Sequence, residues 1–427
     1  MLTLSMSTQF APERAGDRVE FAALGGRRLM LAEEALKNHV GHFYEYNRAV
    51  VDAHRPLGVE TVVAAHLDVS PDVRSAIGAE PVFPQTSWDG IYAHSNPWRR
   101  YLSVAHHNYR VYSVMREFLR RRGPFDCVFA PTVTIHHVIG WQALARAELG
   151  HNMGRLVLFF RNSIGSYSGS GAPTLSGFKQ RIWRHVFKAL RPEIATGRIL
   201  LATDSPQLAA EYELLAGAAP RVFPQPNFVT RNARETPFNP SEPFTFGCLG
   251  PARLEKGVDL FQEAIRIFLA TCPEANVRFV IQWNHPIHLE DGSLLAVDPL
   301  LADDPRVAIL NQEMDSAAYE AALLDLDCMV LPYRRASYAA RISGVAVEAA
   351  SAGIPLIFTE NTWVADLVET CGVGIALRDE DVSDLVRALI ETYRSREELS
   401  RQARARAPEA RHAHSREAFL RALWPDL

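Results

Sequence analysis

Two segments of this chain carry the residue types, at the right spacing, to hold a phosphorylated ligand. The first reads Phe246-Gly247-Cys248-Leu249-Gly250-Pro251-Ala252-Arg253-Leu254-Glu255-Lys256-Gly257-Val258-Asp259. An apolar strand ends near Gly250, a short loop carries Arg253 and Lys256, and a helical pattern starts at about Gly257. Glycine lets the backbone approach a ligand closely, and a helix N-terminus offers unpaired amides at the positive end of its dipole. Two cations beside such a terminus suit a diphosphate, with Lys256 as an exposed charge partner. Only four of the 45 basic residues are lysines, which singles Lys256 out. The segment lacks both the G-K-[ST] of a P-loop and a GxGxxG. A solvated turn is the ordinary alternative.

The second segment reads Leu331-Pro332-Tyr333 and then Tyr338-Ala339-Ala340-Arg341-Ile342-Ser343-Gly344-Val345-Ala346-Val347-Glu348, ending in Gly353-Ile354-Pro355. Ser343 and Gly344 open a helix whose N-terminus again suits phosphate. Glu348 lies about one turn inside, where a carboxylate can accept hydrogen bonds from ribose hydroxyls. It could equally complement the dipole of its own helix. Nearby positive charge from Arg253 or Lys256 would keep it ionised.

Strands and helices alternate in the order needed to position these loops. Candidate strands lie at Arg28–Leu31, Thr61–Ala65, Asp126–Ala130, Arg155–Phe160, Ile199–Thr203 and Arg221–Phe223. After a stretch rich in Pro and Asn, Pro224–Pro243, the pattern restarts at Phe244–Cys248, Arg278–Gln282, Val307–Leu310, Cys328–Leu331 and Pro355–Phe358. Helical patterns between them make βαβ units and parallel sheets, an α/β chain of two Rossmann-like halves facing a cleft. The expected divisions are a loose tail over 1–24, an N-terminal domain over 25–228, a C-terminal domain over 229–405, and a C-terminal helical segment over 406–427 that packs back on the N-terminal domain.

Composition narrows the function. The chain is 48% hydrophobic and 22% charged, which excludes a disordered or collagen-like protein. Five scattered cysteines without CxxC spacing argue against a zinc site and fit a reducing compartment. The opening residues hold no secretory h-region, and no stretch nears the roughly 18 apolar residues of a membrane span, so a cytoplasmic location is expected. Net charge is −4, divided as +6 up to Gln225 and −10 beyond it. The N-terminal half is too weakly basic for a nucleic-acid partner, although it could meet an anionic acceptor or membrane. Phe178–Arg191 mixes cations and aromatics at helical spacing, which suits either a membrane surface or a core-facing stripe.

Together the two segments resemble the glycosyltransferases of family 4, which have the GT-B fold. In that family the loop Arg and Lys hold the nucleotide diphosphate, mapping onto Arg253 and Lys256. Gly250, Gly257, Arg341, Ser343 and Gly344 fall in the same donor-binding loops. The second glutamate of the family's pair maps onto Glu348, and the first falls on Ala340. Pro251 follows the loop glycine where the family has its arginine. The resemblance implies a nucleotide-sugar donor, an acceptor that is a saccharide, a lipid-linked sugar or a small molecule, retention at the anomeric carbon, and neither cofactor nor metal.

It also implies a cleft histidine after the strand Asp126–Ala130, here the catalytic candidate His136 beside His137. Neither histidine has a carboxylate or third histidine nearby in sequence at ligand spacing, so no metal is expected there. Other N-terminal signals are Gly41-His42 at a helix start and Arg161, which could face an anionic acceptor or a structural carboxylate. Asp325-Leu326-Asp327 reads as helix-end structure rather than a metal-binding DxD. A GT-B phosphorylase or epimerase, and a non-catalytic binding protein, are the rival functions.

Overall fold

A computed structural model of the chain describes all residues except 1–20, 40–41, 89–95, 166–172, 176, 227–240, 290 and 427. Most of the proline-rich stretch and most of the expected tail lie outside the described residues. The chain divides into two compact units. Of the described residues, one comprises those within 21–165, 173–226 and 416–426; the other comprises those within 241–415.

The first unit is built on a seven-stranded parallel sheet in the order β3-β2-β1-β4-β5-β6-β7. Its strands are β1 (Arg28–Ala32), β2 (Glu60–His66), β3 (Ala79–Phe83), β4 (Phe125–Ala130), β5 (Met153–Phe160), β6 (Ile199–Thr203) and β7 (Arg221–Val222). The helices are α1 (His42–His54), α2 (Pro71–Ile77), α3 (Pro97–Arg122), α4 (Val138–Glu148), α5 (Phe178–Ala195) and α6 (Pro206–Ala216). Leu29, Met30 and Leu31 are all buried because helices cover both faces of a parallel sheet. Met30 enters one core with Val128 and Leu158, while Leu29 and Leu31 enter the other with Phe129 and Phe159. β3 was not foreseen. Its Glu80 and Pro81 break the apolar pattern, which an edge strand tolerates.

The second unit carries a six-stranded parallel sheet in the order β12-β9-β8-β13-β14-β15. Here β8 is Phe244–Cys248, β9 Val277–Gln282, β12 Val307–Leu310, β13 Cys328–Leu331, β14 Leu356–Thr359 and β15 Gly374–Leu377; β10 (Ile287–His288) and β11 (Leu294–Leu295) form a small hairpin. Its main helices are α7 (Val258–Thr271), α8 (Ser316–Leu324), α9 (Gly344–Ala352), α10 (Trp363–Cys371), α11 (Val382–Arg394) and α12 (Arg396–Ala413). β15 was missed because a four-residue edge strand that opens on glycine carries almost no pattern.

Both chain ends depart from the expected divisions. Phe21 and Leu24, assigned to a loose tail, are fully buried in the first unit. The expected segment 406–427 divides near Ser415: α12 belongs to the second unit, where Ala403, Ala407 and Ala410 are buried. Helix α13 (Arg416–Leu423) belongs to the first, where Phe419, Leu420, Leu423 and Trp424 join Phe129, Phe159 and Phe223 in one core.

In each sheet the strand order reverses beside the first strand, between β1 and β4 and between β8 and β13. Loops at the carboxyl ends of those neighbours splay apart and leave a crevice, where open α/β sheets bind ligands.

Candidate functional site

In the second unit, β8 and β13 are hydrogen-bonded neighbours, so the loops that follow them share one edge of the sheet. This pairing brings the two sequence segments together. Gly250 has φ +89°, and its amide donates to Gln282 Oε1 at 2.6 Å. A Cβ at Gly250 would lie 2.7 Å from Lys256 Nζ and 3.4 Å from Val345 Cγ2. The glycine thus makes room for the ammonium between the two loops. Gly257, with φ +69°, abuts the Pro332 carbonyl so closely that any side chain would collide with it.

Arg334 stitches the loops. Its guanidinium holds the Leu254 carbonyl and the Asp259 carboxylate, at 2.7 Å to Asp259 Oδ2, and its amide donates to the Glu255 carbonyl at 3.0 Å. Arg253 and Arg341 are half exposed, with Glu255 between them at 3.7 and 4.0 Å. Ser343 caps α9 by accepting from the Ala346 amide at 3.2 Å, and its Oγ also meets Tyr333 OH at 3.2 Å. Open space surrounds Gly344 where a side chain would stand.

Three details differ from the sequence reading. Lys256 is not an exposed charge but a half-buried one, since its stem folds back over Gly250. Burial, with the Arg253 and Arg341 cations nearby, pulls its ammonium down to about 8. The helix expected at about Gly257 begins there, with Gly257 as its cap, but the loop before it is a tight turn over Leu254–Lys256 that uses the Gly257 amide to bond the Leu254 carbonyl at 2.9 Å. No side chain caps the first turn of α7, so the helix end keeps amides to offer. Glu348 accepts a hydrogen bond from Tyr319 OH of α8, at 2.7 Å, a partner the sequence reading did not include. Ala340 is buried, at 3% exposure. Asp325 and Asp327 lie at the opposite edge, before β13, bonding Arg278 at 3.1 Å and the Thr245 amide at 2.8 Å, so the DxD is structural.

In the first unit the edge between β1 and β4 gathers residues the sequence did not connect. Glu33 and Glu34 follow β1, and His136 and His137 follow β4. Buried Glu34 accepts from the Ser87 amide and faces His107 Nε2 at 3.1 Å and His137 Nδ1 at 3.3 Å. Sequence spacing gave the histidine pair no third ligand, yet Glu34, His107 and His137 offer ligand atoms within 4.8 Å of one another. Long-range folding supplied what spacing could not show. The hydrogen bonds assign the protons: the Thr134 amide donates to His137 Nε2 at 2.8 Å, so the lone pair is there and Nδ1 carries the hydrogen toward Glu34. A metal on Nδ1 would have to displace that hydrogen, whereas a hydrogen-bond network uses each atom as placed.

Burial favours the neutral form of Glu34, yet the His137 and His107 imidazoles hold its carboxyl well below the usual range. Burial pushes Glu33 up to about 7, against a hydrogen bond from Thr132 Oγ1 at 2.8 Å. His136 is half-buried, and burial, the other two imidazoles and Lys179 bring its ring down to about 4. It is therefore neutral near pH 7, a hydrogen-bonding group rather than an acid. Arg161 pairs with Asp204 at 3.2 Å and lies over the Tyr46 ring, so a structural carboxylate is its partner. Gly41 lies outside the described residues.

Residues 243–395 match the family described as Glycosyl transferases group 1. No curated protein matches the sequence. Sucrose-phosphate synthase from Thermosynechococcus elongatus superposes with TM-score 0.61 at 14% identity, covering 93% of this chain and 97% of that one. HepE from Anabaena, in complex with UDP and glucose, gives TM-score 0.60 at 14% identity, covering 91% and 96%. WaaG, a glycosyltransferase involved in lipopolysaccharide biosynthesis, gives 0.55 at 14%, covering 93% and 99%. Residues 243–395 of the second unit are thus similar to the group 1 glycosyltransferases, and the chain has the GT-B fold.

Proposed function

We propose that this glycosyltransferase moves a sugar from a nucleotide-sugar donor, held at the β8/β13 edge, to an acceptor at the β1/β4 edge. The observation that carries this reading is the convergence of Lys256, Arg253 and Arg341 around Gly250, beside the starts of α7 and α9. As the glycosidic bond breaks, negative charge grows on the leaving diphosphate. Fixed cations and helix amides stabilise that charge without reorganising, which is usually the largest catalytic contribution. Glu348 is assigned to the donor's ribose, and His136 to hydrogen bonding rather than proton transfer. Retention at the anomeric carbon and independence from divalent metal belong to the same proposal, carried by the family resemblance and by the protein's own cations. UDP-sugars are the first donors to test because HepE is found with UDP and glucose.

A second reading, a binding protein that does not turn over, is favoured by Ala340 where the family carries a glutamate. Release of nucleoside diphosphate from a panel of nucleotide sugars separates the two. The expected outcome is slow hydrolysis of one donor class, unchanged by a chelator. Activity abolished by the chelator and restored by magnesium or manganese would contradict metal independence. Tight binding of a donor with no turnover, with or without candidate acceptors, would favour the binding protein.

A further inference from the structure

Trp98, Tyr101, Leu102, Ala105 and Tyr109 recur along α3 at three- and four-residue steps and so share one face. That face is turned to solvent: Trp98 is 77% exposed, Leu102 70% and Tyr109 66%. The opposite face of the same helix, with Val111, Met115, Phe118 and Leu119, fills the core. Phe178, at the start of α5, extends the patch, its ring 6.1 Å from Tyr101. Apolar side chains scattered singly on a surface need no explanation, but a contiguous aromatic patch does. Other apolar residues of α5 are spoken for, because Trp183, Val186, Phe187 and Leu190 are buried. Of the two readings of Phe178–Arg191, the core-facing stripe therefore holds for most of the helix, and a membrane contact reduces to Phe178 and the cations beside it.

Position and charge identify the partner. At about 1.5 Å per residue, the 26 residues of α3 run about 39 Å, against about 20 Å for the six-residue β4. The C-terminal end of α3 leads into the start of β4, so its first turns overhang the carboxyl edge. His107 marks the crossing, where it meets Glu34 and Ser87. Between residues 97 and 116, and between 178 and 192, the sequence has nine Lys and Arg and no Asp or Glu. Arg99, Arg100, Lys179 and Arg181 are exposed beside the aromatics. Lys179 is also close enough to influence His136, which places the patch next to the acceptor edge.

We propose that this face docks on the anionic surface of a lipid bilayer and presents a membrane-borne acceptor to the edge at His136. The proposal rests on the reading of that edge as the acceptor site. Trp98, Tyr101, Leu102 and Phe178 sit at headgroup depth, and the cations engage lipid phosphates. A second copy of the chain fits less well, since two such faces would bring like charges together.

Cosedimentation of the full chain tests this, with vesicles of equal phosphatidylglycerol and phosphatidylcholine beside vesicles of phosphatidylcholine alone. Binding to the anionic vesicles only is expected. Trp98→Ser/Leu102→Ser should lower partitioning at least about tenfold, since it removes two interfacial anchors. Arg99→Glu/Lys179→Glu should lower it by about the same factor through charge. Failure of the wild type to sediment, or equal partitioning of all three proteins, overturns docking. So does a concentration-dependent dimer, without vesicle binding, that the same substitutions dissociate. UDP affinity measured on the same preparations keeps the readings apart. A wild type that binds UDP but no vesicle loses the docking proposal alone, and one that binds vesicles but no UDP loses the donor assignment alone.

Discussion

Glu348 shows how far a residue's role can be argued from its immediate partners. The carboxylate accepts a hydrogen bond from Tyr319 OH, which orients it as an acceptor. A group held as an acceptor suits ribose recognition better than proton donation. Glu348→Gln keeps the shape and one acceptor, and should raise donor KM about tenfold while changing kcat less. Steady-state kinetics with the preferred donor decide it, since a collapse of kcat at unchanged KM would mean that Glu348 does chemistry. The sequence placed this residue correctly on the helix that Ser343 opens, but it could not show Tyr319, which lies 29 positions away. Likewise it singled out Lys256 without showing that Gly250 exists to seat it. Side-chain neighbours across loops have no sequence signature.

Elements, rather than residues, bring the donor groups into register. The tight turn Leu254–Lys256 hangs between two fixed points, the end of β8 and the start of α7, and Arg334 from the following loop ties it down. Arg334 is charge-paired with Asp259 and Glu380, which together hold its guanidinium well above the ordinary arginine range. Arg334→Ala removes those ties without touching the assigned ligand groups. It should weaken UDP binding about tenfold, by the typical 1.5–3 kcal/mol of hydrogen bonds to charged groups shared between loop order and fold. Calorimetry on a variant with unchanged circular dichroism checks it; undiminished affinity would show that the loop is ordered by other means. Strong apolar runs such as Leu29–Leu31 and Cys328–Leu331 made most strands legible. Edge strands β3 and β15 were not, because partial exposure lets them carry Glu, Pro and Gly.

On the scale of the whole chain, the C-terminus is tied back to the first unit through a buried pair. Trp424 Nε1 donates to His54 Nε2 at 2.9 Å, while His54 Nδ1 donates to the Val50 carbonyl at 2.7 Å. Burial brings His54 down to about 4, so the folded protein refuses a proton that the unfolded chain accepts below about 6.5. Its contribution is complete above that pH and is lost as pH falls toward 4, a change of about 3 kcal/mol at roughly 1.4 kcal/mol per unit. Denaturant melts of wild type and His54→Gln at descending pH should show a shallower acid loss in the variant. Parallel curves would assign the acid sensitivity elsewhere, with Glu34 the next group to test. The sequence suggested that the C-terminal helix packs back, from its amphipathic pattern. It could not show that His54 and Trp424 meet across 370 positions, or that the two units divide near Ser415.

Titration of UDP into the wild type and Lys256→Ala by calorimetry, near pH 7 and again above pH 9, bears most directly on the donor site. An ammonium held near 8 is largely charged at the lower pH and largely neutral at the higher. Wild-type affinity should therefore fall as pH rises, and Lys256→Ala should start about 10- to 100-fold weaker, the range of a charge-assisted contact, and change little with pH. Equal affinity of the two proteins near pH 7, or a wild-type affinity indifferent to pH, would contradict the assignment of Lys256 to the diphosphate.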